Sequence, residues 1–226
     1  MNAALLQQKL YGAYAMAARH LGAPCTLYRP DGAGDPIVPG NALASLPASF
    51  NAEDMGYAKP RGYGESLWYC LADGTQLQAG DYLAGDAGTF FIAALQPLLP
   101  ILAVQCNRRV RIGRMPAGSA MSGAGYQGYA AVVQSAETDA LGTGGGEGSF
   151  ASGWPASILI GGGSDRASLL PSGVRESGVT ILLPASVPLE IVESDVIQDD
   201  LGRDFAIYNA EQSALGWRLF ASEEHA

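Results

Sequence analysis

Residues Asp81-Tyr82-Leu83-Ala84-Gly85-Asp86-Ala87-Gly88-Thr89-Phe90-Phe91 are echoed 114 positions later by Asp195-Val196-Ile197-Gln198-Asp199-Asp200-Leu201-Gly202-Arg203-Asp204-Phe205. Asp, an aliphatic residue, Asp, Gly and Phe recur at the same relative places. Each copy has an aliphatic run, then Asp followed two residues later by Gly, which supplies φ > 0 in a tight turn, then an aromatic-bearing run. That order predicts a strand, a turn and a second strand. The positions common to both copies are those a hairpin requires, so the pattern reads as a duplicated scaffold element. An offset of half the chain predicts two β-rich units.

Composition agrees with such a chain. The 226 residues can hold one large or two small domains. Charged residues make up only 15 %, the hydrophobic class reaches 48 %, and the 30 glycines are about twice the usual share. This mix suits strands joined by many turns and covered by small, neutral side chains. A net charge of −9 argues against a surface that grips phosphates throughout. Cys25, Cys70 and Cys106 are odd in number and lack CxxC spacing, which reads as free thiols of a reducing compartment. No signal-peptide layout and no run of ~18 apolar residues is present, so a cytoplasmic origin and no membrane partner are expected.

Working outward, residues 2–21 predict an N-terminal helix. Leu5, Leu6, Leu10, Tyr14, Ala17 and Leu21 recur at helical spacing, and Gly22 offers a C-terminal cap. Its poverty in charge requires a surface to pack on, either its own domain or a neighbouring subunit. Residues 25–29 read as a strand, 30–44 as a loop, 46–50 as a short extended piece, and 51–64 as a loop with aromatics. In the first unit, strands are expected at 67–71, 81–85, 89–94 and a long final one at 101–112. In the second, they are expected at 129–134, 157–160, 179–183, 196–197, 205–209 and 217–221. The predicted fold is mainly β: two small antiparallel β-barrel or sandwich units in tandem with an N-terminal α-helix. The domain boundaries are 1–114, a linker at 115–128, and 129–226 with Gly-rich loops.

Two clusters carry the candidate chemistry. Arg108, Arg109, Arg111 and Arg114 form a basic stretch, read as a patch that binds phosphate or an acidic partner subunit, or as charge that discourages edge pairing; with no aromatic platform beside it, the partner interface or the edge charge is expected over nucleic acid. Asp195, Asp199 and Asp200, with Glu193, bring carboxylates close in sequence, either as a metal or acid–base site or as a polar turn. Tyr57, Tyr63, Trp68 and Trp154 offer a stacking platform for a carbohydrate or other ligand. Gly123-Ala124-Gly125-Tyr126-Gln127-Gly128 has dinucleotide-fingerprint letters but is followed by a predicted strand instead of a helix. The Gly-rich runs at 142–148 and 161–165 lack the Gly-Lys-Ser/Thr ending of a phosphate loop and read as hairpin loops. His20 and His225 stand beside no candidate nucleophile, so no catalytic residue, metal or cofactor is assigned.

The run Asp73-Gly74-Thr75-Gln76-Leu77-Gln78-Ala79-Gly80-Asp81-Tyr82-Leu83, with residues 88–101 and Cys106-Asn107-Arg108, resembles structural proteins from the head-to-tail region of tailed double-stranded DNA bacteriophages. Residues 194–205, then Glu211 and Leu215-Gly216-Trp217-Arg218-Leu219, are similar to the β-barrel segment of head-closure and connector proteins. The resemblance covers roughly 1–114 and 179–221. It implies a non-enzymatic virion protein, made in the host bacterial cytoplasm, that forms a homo-oligomeric ring between the portal and the tail or within the tail. Its implied partners are portal, adaptor or tail proteins, with DNA only as passing cargo. In that setting Asp195, Asp199 and Asp200 are expected to face the channel, and Arg108 to Arg114 to meet an acidic neighbour.

Overall fold

The computed structural model describes residues 3–52, 66–114, 139–141, 153–160, 178–193 and 195–224. Helix α1 (Ala3–Leu21) leads into β1 (Ala23–Tyr28) through Gly22, where any larger residue would meet the Ala18 and Ala48 carbonyls. A loop with a 3-10 turn at Pro39–Asn41 leads to β2 (Ala42–Ala52), followed by β3 (Leu67–Leu71), β4 (Tyr82–Gly85), β5 (Gly88–Ala94) and β6 (Ile101–Cys106). These six close into an antiparallel barrel in the order β1-β2-β3-β6-β5-β4. Alternation sends Cys25, Leu27, Leu83, Phe90, Ile92 and Ile101 inward, so side chains fill the barrel, as its small strand number demands. Tyr11 and Tyr14 of α1 pack on this core, and α1 contacts β2 and β3.

The second unit is β7 (Arg108–Gly113), β8 (Asp139–Leu141), β9 (Trp154–Ile160), β10 (Gly178–Leu183), β11 (Val196–Asp199), β12 (Asp204–Ser213) and β13 (Gly216–Glu224). The order β7-β9-β10-β13-β12-β11 is closed by a β11–β7 pairing, so this is a second six-stranded barrel of the same topology. The registers also coincide. Cys25 and Leu27 of β1 correspond to Val110 and Ile112 of β7, and all four are buried. Leu83 faces Phe90 as Ile197 faces Phe205. A bulge at Ala93 of β5 reappears at Tyr208 of β12, and the register break between Leu27 and Tyr28 reappears between Ile112 and Gly113. The counterpart of β2 is split into β8 and β9, which pair with the same edge of β7 on either side of residues 142–153.

The two hairpin turns that reveal the duplication differ by one residue. Asp86 and Ala87 turn the first, between the paired Gly85 and Gly88. In the second, the Asp199 N–H bonds the Arg203 carbonyl, leaving Asp200, Leu201 and Gly202 in the loop, with Gly202 at φ 74°. A type I turn closed by a left-handed Gly accounts for the longer loop. Structurally, Phe205 therefore matches Phe90, one place from the Phe91 with which the sequence aligns it.

The expected boundary at 114 is corrected by the pairing. Asn107 alone separates β6 of barrel 1 from β7 of barrel 2, so the long strand predicted for 101–112 serves both barrels. The Asn107 side chain donates to the Ile158 carbonyl and accepts from the Ile158 N–H, both at 2.9 Å, standing in for a ladder pair. The outer side of barrel 1 then packs on barrel 2. Tyr82, Phe91 and Val104 join one core with Trp154, Ile181 and Leu219. The Tyr82 hydroxyl donates to the Pro155 carbonyl at 2.9 Å, and Ser186 Oγ donates to the Gly80 carbonyl. Burial pushes the Tyr82 hydroxyl pKa well up, so it stays a donor. The linker expected at 115–128 and the strand at 129–134 lie outside the described residues.

Candidate functional site

The two clusters singled out in the sequence meet, and they do so as pairs inside one chain. Arg114 Nε and Nη2 donate to the two Asp195 carboxylate oxygens at 2.8 and 2.7 Å, while Asp195 also accepts the Val192 N–H. Arg29 grips Asp81 in the same way, at 2.8 Å twice, and Asp81 accepts the Gln78 N–H. In both barrels the arginine just past the first strand also reaches the carbonyl five residues before its aspartate, Gln76 or Glu190. The main chain repeats too: Asp81 O accepts from Ile92 N–H, and Asp195 O from Ile207 N–H. The hydrogen bond to the carboxylate raises the pKa of each guanidinium. This bidentate clamp ties the first strand of each barrel to the entrance of its fourth.

The channel-facing expectation is corrected for two of its three residues. The Asp195 and Asp199 side chains are 1 % and 0 % exposed, because each saturates its oxygens with donors from its own chain. Asp199 accepts the Leu201 and Arg203 N–H groups and the Arg203 guanidinium, which fixes the three-residue turn. Asp200, one third exposed, sits 3.8 Å from Arg108. Among the described residues no group of three His, Cys, Asp or Glu side chains is placed to hold a metal ion.

The basic stretch is likewise dispersed. Arg109 pairs with Asp35 at 3.0 Å and donates to the Gly153 carbonyl, Arg114 holds Asp195, and Arg108 lies near Asp199 and Asp200. Alternation along β7 turns Arg108 to one side and Arg109 and Arg111 to the other, and three of the arginines are taken up by carboxylates of the same chain, so closeness in sequence does not make one patch. Of the proposed stacking platform, Trp154 is fully buried, its Nε1 donating to the Ala33 carbonyl and its ring edge-on to Tyr82. Trp68 packs on the core of barrel 1, and Tyr57 and Tyr63 lie outside the described residues. The three cysteines are free. Burial drives the Cys70 thiol up to about 12 and leaves it an inert core group.

Several large apolar side chains are exposed. Only Ala18 of α1 is buried; its inner face is Leu10, Tyr11 and Tyr14, while Leu5, Leu6, Met16 and Leu21 are 47, 37, 64 and 70 % exposed. The predicted helix is present, but with several of its large apolar residues turned outward. Leu98 and Leu99, also exposed, adjoin α1 through a hydrogen bond from the Leu98 N–H to Gln7. On barrel 2, Tyr208 is 52 % exposed and stacks on Phe220 at 6.5 Å, with the Arg218 guanidinium 5.3 Å from the Phe220 ring centre. Between the barrels lies an open cleft of about 650 Å³ with apolar walls that include Leu67, Leu102, Leu182 and Trp217. One signal of the second barrel was available in the sequence: Pro47-Ala48-Ser49 of β2 recurs as Pro155-Ala156-Ser157 of β9, at register-equivalent positions. Comparison of the chain with family models, curated proteins and solved structures yields no match.

Proposed function

We propose that the chain is a non-enzymatic structural subunit of a tailed double-stranded DNA bacteriophage particle, assembling as a homo-oligomeric ring at the head–tail connection or in the tail. The observation that carries this reading is the set of exposed apolar residues on α1, with Leu5, Leu6, Met16 and Leu21 in contact with solvent in the single protomer. Apolar side chains grouped on one element in this way are a docking surface, and a ring supplies the same neighbour to every copy. Both barrels are filled by side chains, so a passage for DNA would lie between copies and not through a barrel. The net charge of −9 favours sliding over sticking for DNA in such a passage. Portal, adaptor or tail proteins would cover the ends of the ring. Negative-stain images and sedimentation of the purified chain provide the test. Closed rings with a central opening are expected, and a monomer at every concentration would sink the reading.

A further inference from the structure

The two barrels touch through unlike faces. Barrel 1 contributes the outer side of β5 and β6, where Phe91, Ala93 and Val104 are 1, 3 and 3 % exposed. Barrel 2 contributes the outer side of β9 and β10, where Pro155 and Ser157 are buried. Because the registers coincide, each of these residues has a counterpart on the other barrel. Ala206, Tyr208 and Ser222 stand where Phe91, Ala93 and Val104 stand, and Pro47 and Ser49 stand where Pro155 and Ser157 stand. The counterparts are open: Tyr208 is exposed, and Ala206, Ser222, Pro47 and Ser49 are only half-buried. One end of the chain thus carries an unused copy of one half of the internal contact, and the other end an unused copy of its mate.

We propose that the chain self-associates head to tail, the outer β12–β13 face of one copy docking on the outer β2–β3 face of the next, in the manner of its own two barrels. The proposal deepens the assembly reading above and rests on it for closure of the row of copies into a ring. Three observations favour a second copy as the occupant. The Tyr208–Phe220 stack with Arg218 over it is the aromatic and arginine grouping that anchors protein interfaces. The receiving face presents Pro47, Ser49, Asn51 and Tyr69, uncharged groups that an aromatic pair can cover without stripping water from an ion. Barrel 1, which carries the receiving face, is a closed ring of six strands, so docking there is face to face and not by adding a strand to the sheet. A contact between unlike faces propagates, giving a ring or a filament.

Two substitutions, one on each face, test this by sedimentation velocity. Tyr208→Glu blocks the docking face and Ser49→Arg the receiving face. At a concentration where the wild-type chain is oligomeric, each variant alone is expected to sediment as a monomer, its self-association weakened about tenfold or more. The equimolar mixture should form a 1:1 dimer and stop, since Tyr208→Glu keeps a sound receiving face and Ser49→Arg a sound docking face. That complementation also shows both variants to be folded. Variants that assemble like wild type, or a mixture that stays monomeric, overturn the proposal. Wild-type rings indifferent to both substitutions would remove this contact and leave the ring reading, whereas complementation without ring closure would keep the contact and remove the ring. A wild-type chain monomeric throughout overturns both.

Discussion

Arg29 and Arg114 do the same work in two places, each lying against a carboxylate that is almost entirely buried while the arginine side chains are 35 and 40 % exposed. Water can reach the arginine but not the aspartate, so the cost of losing the arginine falls on the partner left behind. Arg114→Ala should destabilise the protein by about 2–3 kcal/mol in urea unfolding, below the full value for a wholly buried pair because solvent reaches the vacated space. Arg218→Ala breaks an ion pair with Glu211 in which both side chains are about half exposed, and should cost no more than about 0.5 kcal/mol. Equal losses would show that burial of the carboxylate does not set the value of the clamp. The arginine cluster was visible in the sequence, but its partners were not. Asp35 and Asp195 lie 74 and 81 residues from Arg109 and Arg114; packing of the β1–β2 loop of barrel 1 on barrel 2 brings the first pair together, and closure of barrel 2 the second.

Among the elements, the strands were the most legible. Period-two alternation placed most of those now seen in both barrels, and it failed at Asn107 for a physical reason. Leu102, Val104 and Cys106 leave barrel 1 on the side that faces barrel 2, and Val110 and Ile112 enter barrel 2 on that same side. The alternation therefore runs through the changeover without a break. In the β12–β13 arm, β12 was predicted at half its length, because beyond Ile207 its residues are mostly exposed and no buried stripe marks them. That arm is fixed at Gly216, whose φ is 115° and whose missing side chain leaves room for the Leu183 carbonyl at the end of β10. Gly216→Ala should cost about 3 kcal/mol or more, strain and backbone clash adding together. Gly40→Ala, with nothing within 4 Å of the new methyl group, should be neutral or stabilising by up to about 0.5 kcal/mol. Thermal melts of the two variants distinguish a turn that anchors the arm from one that merely reverses the chain.

At the scale of the whole molecule, one core crosses from barrel 1 into barrel 2, and calorimetry should record a single unfolding transition despite the duplicated architecture. Tyr82 is the most demanding of the bridging residues, fully buried and donating across to the Pro155 carbonyl. Tyr82→Phe should lower the stability by about 1–2 kcal/mol, the cost of a buried carbonyl left without its donor, and keep the transition single. Two separate transitions in the wild-type protein would mean that the barrels are independent bodies. Tandem organisation was readable from the repeated hairpin, whereas the contact between the barrels was not, since Tyr82, Phe91 and Val104 read as ordinary strand residues until a second barrel covers them.

The join at Asn107 also sets how the molecule carries load. A flexible linker would let one barrel swing or twist before the other felt a pull. Here a single residue connects two strands, and its own amide is laced to Ile158 as if it belonged to the ladder. Force applied to one barrel therefore passes along extended backbone already held at both ends, with no slack to take up first. The pair should behave as a short stiff beam, and bending it would require separating hydrogen-bonded strands instead of turning a hinge.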